Sequence, residues 1–298
     1  MVSGPGTSLS PDSKIVPGRI LVVEDEQALR DLMVRMLNEA GFSVSYAEDG
    51  VQALKKLHGE RFDLVLLDIW LPNMNGLEVL SALRQESAQN RTPSPKVIVV
   101  TADNTPETLL TSIREQAYHY VSKPFSTKAM LELVKHVLSD ASEAGPIEVL
   151  SARPNWVELL VPCDFESAER IQSFMSSLRA DLAEEVRQSV GQAFRELLLN
   201  AIEWGGHLDP NRKVRISYLR AQKMLLYRIA DPGPGFKFQG LKHAAVNNPP
   251  EDPVRHLLVR EQEHIRAGGF GIMLTRASVD EVIYNEAQNE VVLVKYLE

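Results

Sequence analysis

Between residues 19 and 140 the sequence repeats one pattern five times: a short apolar run, then an amphipathic stretch at helical spacing. The runs cover 20–23, 43–47, 64–67, 97–100 and 118–121; the helical stretches cover 26–40, 51–58, 76–85, 106–115 and 126–139. Parallel strands need a crossover, and a helix that buries the sheet face is the usual one. The pattern therefore predicts an α/β doubly wound five-stranded parallel sheet, with ligands at the carboxyl ends of its strands.

Polar residues close these runs. Glu24 and Asp25 end the first, Asp68 the third, Thr101 the fourth and Lys123 the fifth. Parallel strands end on one edge, so the side chains converge. A carboxylate at a single strand end is an ordinary solvated loop residue; matched positions at successive ends make a site. Carboxylates sharing a cleft stay ionised only beside a cation, and an all-oxygen donor set favours magnesium. A carboxylate beside that ion can attack a phosphoryl group while Lys123 and the Thr101 hydroxyl hold the oxygens in transfer.

These residues lie in Val22-Val23-Glu24-Asp25-Glu26, Leu66-Leu67-Asp68-Ile69-Trp70-Leu71-Pro72-Asn73-Met74-Asn75-Gly76, Val100-Thr101-Ala102 and Lys123-Pro124-Phe125. Over roughly residues 19 to 140 the chain resembles the receiver domains of two-component response regulators. The resemblance implies that Asp68 is the phosphoacceptor, served by an upstream histidine kinase. It implies that Asp25 and the Trp70 backbone carbonyl bind magnesium directly and that Glu24 acts through water. It also implies that Thr101 and Tyr120 move together on phosphorylation, and that the Lys123–Pro124 bond is cis. Gln116 stands where many receivers place a glycine. A non-glycine costs about 1 kcal/mol in a left-handed conformation, which predicts a corner built differently.

The 298 residues leave room for about two domains. Residues 1–17, rich in Gly, Ser and Pro, read as a flexible tail, 18–140 as the first domain, 141–146 as a linker and 147–298 as the second. In the second, strands are expected at 147–151, 156–161, 214–219, 224–231, 281–285 and 290–296, and helices at 166–179, 183–204 and 271–278. Strands grouped apart from helices predict an α+β two-layer sandwich.

A Walker-type phosphate loop is excluded, because no G-x-x-x-x-G-K-[ST] occurs. Within Arg195-Glu196-Leu197-Leu198-Leu199-Asn200-Ala201, Glu196 and Asn200 share a helix face. Asn200 can offer its amide oxygen to magnesium, and Glu196 can polarise a hydroxyl. In Asp231-Pro232-Gly233-Pro234-Gly235-Phe236, Asp231 can accept a hydrogen bond from an exocyclic amine. In Arg266-Ala267-Gly268-Gly269-Phe270-Gly271-Ile272, the glycines admit close approach of a base or phosphate at a helix amino terminus. Singly, each segment is a solvated face, a turn or tight packing.

In this order they resemble the ATP-binding domain shared by histidine kinases, gyrases and heat-shock chaperones, and especially the anti-sigma-factor serine kinases, over residues 148–298. The resemblance implies that Asn200 holds the magnesium of ATP, Glu196 is the candidate general base and Asp231 reads adenine. Gly233, Gly235, Gly269 and Gly271 would shape the pocket, residues 237–267 would form a lid, and Arg266 is a candidate for the γ-phosphate. Trp204 stands where many relatives carry His, at a position read as packing. His256 and His264 lack metal-ligand spacing and read as lid or surface residues.

Together these resemblances predict a bacterial response regulator, phosphorylated on Asp68, whose output is an ATP-dependent protein serine/threonine kinase. Its substrate would be a Ser or Thr on an anti-sigma antagonist protein, with a sigma factor as a further partner. The alternative is a non-catalytic ATP-dependent switch that sequesters a partner. A histidine kinase with a fused receiver is disfavoured, because no His occurs between residues 147 and 203 and His136 belongs to the last receiver helix. With 40 acidic against 32 basic residues, net −8, and no basic cluster, nucleic acid and anionic membranes are poor partners. A DNA-reading output is disfavoured too, as no helix-turn-helix or basic recognition helix is left over. No signal-peptide or membrane-length apolar stretch occurs. The lone Cys163 permits no intrachain disulfide and reads as a small buried or half-buried thiol. A cytoplasmic protein is expected, with a homodimer left open.

Overall fold

The computed structural model describes residues 18–90, 94–103, 105–139, 145–153, 155–237, 244–245, 248–249, 251–262 and 269–297. The expected tail, much of the expected linker and a large part of the expected lid lie outside the described residues.

The first unit runs β1 (Arg19–Val23), α1 (Gln27–Glu39), β2 (Ser43–Ala47), α2 (Gly50–Gly59), β3 (Leu64–Leu67), α3 (Gly76–Asn90), β4 (Lys96–Thr101), α4 (Pro106–Arg114), β5 (His119–Ser122) and α5 (Thr127–Ser139). Its five strands are all parallel, in the order β2-β1-β3-β4-β5. Central strands covered on both faces read as unbroken apolar runs. Accordingly Leu21, Val23, Val65 and Leu67 enter one core, while Ile20, Val22, Leu64 and Leu66 enter another. Local caps fix the helix starts. Asp49 accepts the Gln52 N–H at 2.7 Å, and Thr105 caps α4 ahead of Pro106. Each cap contributes about 1 kcal/mol.

One expectation is corrected at the α4–β5 corner. Gln116 itself takes the left-handed conformation, φ 63°. The corner keeps its shape, and the strain falls on a residue with a side chain.

The second unit runs β6 (Glu148–Arg153), β7 (Trp156–Pro162), α6 (Phe165–Ser177), α7 (Glu184–Asn200), a π-helical turn (Ala201–Gly205), β8 (Lys213–Ala221), β9 (Met224–Ala230), α8 (Arg255–Gln262), α9 (Gly271–Ser278), β10 (Glu281–Tyr284) and β11 (Glu290–Tyr296). Its six strands form an antiparallel sheet, in the order β10-β11-β9-β8-β7-β6. Alternate residues such as Leu159, Ile216 and Tyr227 point into one core with Phe174 of α6 and Phe194 of α7. The Phe194 and Tyr227 rings lie 4.9 Å apart. Asp164 starts α6 by accepting the Ser167 N–H at 2.6 Å.

The α7 helix does not run unbroken to Trp204 as the periodicity predicts. It ends at Asn200 and widens into the π-helical turn. The following glycines explain the change. A Cβ on Gly205 would come within 2.2 Å of Asp231, and one on Gly206 within 2.3 Å of Cys163 Sγ. The α8 helix, inside the expected lid, was not read from the sequence. One receiver core continues into the second unit, where α6 packs on β5 and α4 on β6.

Candidate functional site

The ends of β1, β3 and β5 gather the first constellation. Carboxylate oxygens of Glu24, Asp25 and Asp68 all lie within 4.8 Å of one another. Glu24 and Asp68 are buried, while Asp25 is exposed. Lys123 Nζ donates to Glu24 Oε2 and to Asp68 Oδ2, each at 2.7 Å. Burial raises the Glu24 pKa, the Lys123 hydrogen bond opposes it, and the Asp68 charge adds to the rise. Burial alone would lower Lys123, but its bonds to Asp68 and Glu24 outweigh that and hold its pKa up.

Backbone fixes the other side of Asp68. Its Oδ1 accepts the Ile69 N–H at 2.6 Å and the Trp70 N–H at 3.4 Å. Gly76 opens α3 so close beneath that an added Cβ would lie 2.0 Å from the Asp68 carbonyl oxygen. Thr101 is fully buried at the end of β4, and its hydroxyl accepts the Asp103 N–H at 3.2 Å. The Tyr120 hydroxyl donates to the Asp103 carbonyl. Trp70 carries its indole outward, 62% exposed, and the Lys123–Pro124 bond is cis. Three carboxylates against one ammonium leave the cluster negative. Hard oxygen donors with one exposed member suit a magnesium ion that keeps part of its water.

The second constellation lines a cavity of about 460 Å³ formed by α7, the β9 end, α9 and the β10–β11 turn. This size falls in the range of small-ligand sites, about 300–1,000 Å³. Glu196, Asn200, Asp231, Gly233, Gly235, Gly269 and Gly271 all line it, whereas Arg266 lies outside the described residues. Burial raises the Asp231 pKa, opposed by the Gly233 N–H, which donates to Oδ1 at 2.7 Å, and by the Arg212 charge. Gly235 is left-handed, φ 84°, and a Cβ there would strike the Ala287 carbonyl oxygen. Gly271 presses the start of α9 against Glu196, since its Cβ would sit 2.5 Å from Oε2. Ile229, Ile272 and Val291 supply apolar walls beside the half-buried Asp231 carboxylate. That combination suits a purine with an exocyclic amine, and the Asn200 amide with the α9 start suits its phosphates.

Several lining residues escaped the sequence reading. Trp204, expected to pack, is 41% exposed and borders the cavity. Arg260 of α8 reaches it while largely buried. Gln288 and Asn289 enter from the β10–β11 turn. The Gly205-Gly206 pair was the available signal for close approach here; Arg260 carried none. His256 proves wholly buried, with its ring 4.5 Å from that of Phe270, and is not a surface residue. His264 lies outside the described residues.

A family model for the response regulator receiver domain matches residues 20–135, and one for the histidine kinase-like ATPase domain matches residues 161–295. The chain is 33% identical over 188 residues to the DNA-binding response regulator MtrA of Mycolicibacterium smegmatis, which spans 63% of this chain and 78% of that protein. It is 36% identical over 132 residues to the response regulator MprA of Mycobacterium sp. (strain KMS), spanning 44% and 55% of the two chains. A solved CheY-like receiver domain protein from Methanospirillum hungatei JF-1 is 34% identical and covers 41% of this chain and 94% of its own, with a TM-score of 0.38.

Proposed function

The chain belongs to the response regulators, and from that premise we propose that phosphorylation of Asp68 controls an ATP-dependent protein serine/threonine kinase carried by the histidine kinase-like ATPase domain. The observation that supports this most is the joint lining of one cavity by Glu196, Asn200, Asp231 and four glycines, in a chain whose first unit holds the Asp68 cluster. DNA binding belongs to MtrA by its name. The half of this chain beyond its receiver matches an ATPase-domain family instead.

A receiver takes its phosphoryl group from a phosphodonor such as a histidine kinase. Asp68 is the proposed nucleophile: its carboxylate oxygen forms the new P–O bond as the donor's P–N bond breaks. Lys123, already bonded to that carboxylate, stands ready to bond a phosphoryl oxygen, and Thr101 offers a hydroxyl on the neighbouring strand. Asp25, Asp68 and the Trp70 carbonyl would hold magnesium directly and Glu24 through water, and the ion's charge would stabilise those oxygens. In the second unit, Asp231 would accept from the adenine amine and Asn200 would hold the magnesium of ATP. Glu196 would draw off the proton of a Ser or Thr hydroxyl as it attacks the γ-phosphorus, with the bond to the β–γ bridging oxygen breaking. Arg266 remains a candidate for the γ-phosphate. The proposed substrate is a small antagonist protein in a sigma-factor pathway.

The test incubates the full chain with γ-labelled ATP and the small proteins encoded beside its gene. Label on Ser or Thr with wild type, lost with Glu196→Gln, is expected. Equal label with both sinks the kinase reading. Nucleotide binding without any transfer would select the sequestering switch instead.

A further inference from the structure

We infer that helix α6 of the second unit is the receiver's target within the same chain, and that Ser173, Phe174 and Gln116 are positioning residues that couple Asp68 to the nucleotide cavity.

The contact is built from one element of each unit. Ser173 Oγ, on α6, donates to the Tyr120 carbonyl at 3.1 Å and lies 3.1 Å from His119 Nδ1. The Phe174 ring meets the Tyr120 ring at 6.2 Å. Arg170 spans the seam, donating to the carbonyls of Ala117 at 3.4 Å and Gly145 at 3.3 Å, with its guanidinium 5.4 Å from the Tyr118 ring centre. From the other side, Gln116 Nε2 donates to the Ile147 carbonyl at 3.3 Å. This last bond gives the strained residue a purpose. A glycine would sit at that corner without cost but could not reach across.

The seam connects both sites. On the receiver side, Asp103 links the Thr101 hydroxyl, through its N–H, to the Tyr120 hydroxyl, through its carbonyl. Tyr120 then touches α6 by ring and by carbonyl. On the other side Phe174 shares a core with Phe194 of α7, the helix that presents Glu196 and Asn200. A shift of Tyr120 therefore cannot leave α6 undisturbed, because close-packed interiors shift between discrete arrangements more readily than they deform.

The seam is also separable. Arg170 is buried there, its hydrogen bonds go to neutral carbonyls, and its Nε has no partner among the described residues. Sealing a charge without a bonded carboxylate weakens the closed arrangement, since opening returns it to water. A contact of this kind can be tipped by a ligand.

The inference rests on reading the two sites as phosphoryl and ATP sites, and it implies reciprocity: whatever factor phosphorylation applies to ATP affinity, ATP applies to phosphoryl-site occupancy. The experiment titrates ATP into the full-length protein, with magnesium, in the presence and absence of beryllofluoride as the phosphoryl mimic. A shift in ATP affinity of at least about fivefold is expected for wild type. Gln116→Gly, which relieves the left-handed strain and so keeps the fold, and Ser173→Ala should each bring the ratio toward one while ATP and beryllofluoride still bind separately. An unaltered ratio in both variants would overturn the role of the seam. A wild-type ratio of one, with both ligands bound, would overturn the coupling but leave the functional reading standing. Absence of ATP binding in wild type would sink that reading and the coupling with it.

Discussion

At the scale of single residues, Lys123 is the point on which the first site balances. It satisfies two carboxylates at once, one of them 1% exposed. Removing one partner from a buried ion pair costs about 3–5 kcal/mol, and the low end applies because the Lys123 side chain keeps some exposure to water. Lys123→Met should therefore destabilise the receiver, by an amount that depends on pH. The folded pKa of Glu24 is raised. Its contribution is full below the unfolded value and is lost as pH rises through the folded one. Thermal unfolding should show a larger deficit at about pH 8 than at about pH 5. Magnesium should recover most of it, and mainly at the higher pH; a pH-independent deficit would contradict this account. These residues were legible because strand ends on a parallel sheet must converge. Trp204, Arg260 and Gln288 were not, since nothing in their local sequence separates a cavity wall from an ordinary helix or turn.

Among elements, the π-helical turn after α7 matters most for the second site. It lets backbone at Gly205 rest against the Asp231 side chain. Gly205→Ala should cost about 1–3 kcal/mol in urea unfolding, as overpacking does, and should weaken ATP binding by displacing Asp231. Gly59→Ala is the control. A Cβ there meets nothing within 4 Å, so stability should hold or rise slightly. Equal effects at both positions would deny the turn its role. Periodicity found α7 but could not place its end, because a π turn is imposed by what packs against it. Strand limits, by contrast, followed closely from apolar alternation, as at Ser43–Ala47 and Glu290–Tyr296.

For the molecule as a whole, the two sheets share more than a linker. Tyr120 of the receiver and Phe174 of the second unit belong to one continuous buried cluster. Calorimetry of the full chain should then give a single unfolding transition, and beryllofluoride with magnesium should raise the whole of it by about 2.7 kcal/mol at a hundredfold excess over its dissociation constant. Two transitions, with only the first responding, would mean that the units unfold independently. Nothing in the sequence announced this seam, since Gln116, Ser173 and Phe174 are individually unexceptional and gain meaning only when the two halves meet. Cys163 has its own consequence. Its thiol is fully buried beneath Gly206, and burial pushes its pKa up to about 11. A thiol so placed is chemically silent until the backbone above it lifts, so its alkylation becomes a stopwatch, native to the chain, for each opening of the backbone at Gly206, next to the cavity-lining Gly205.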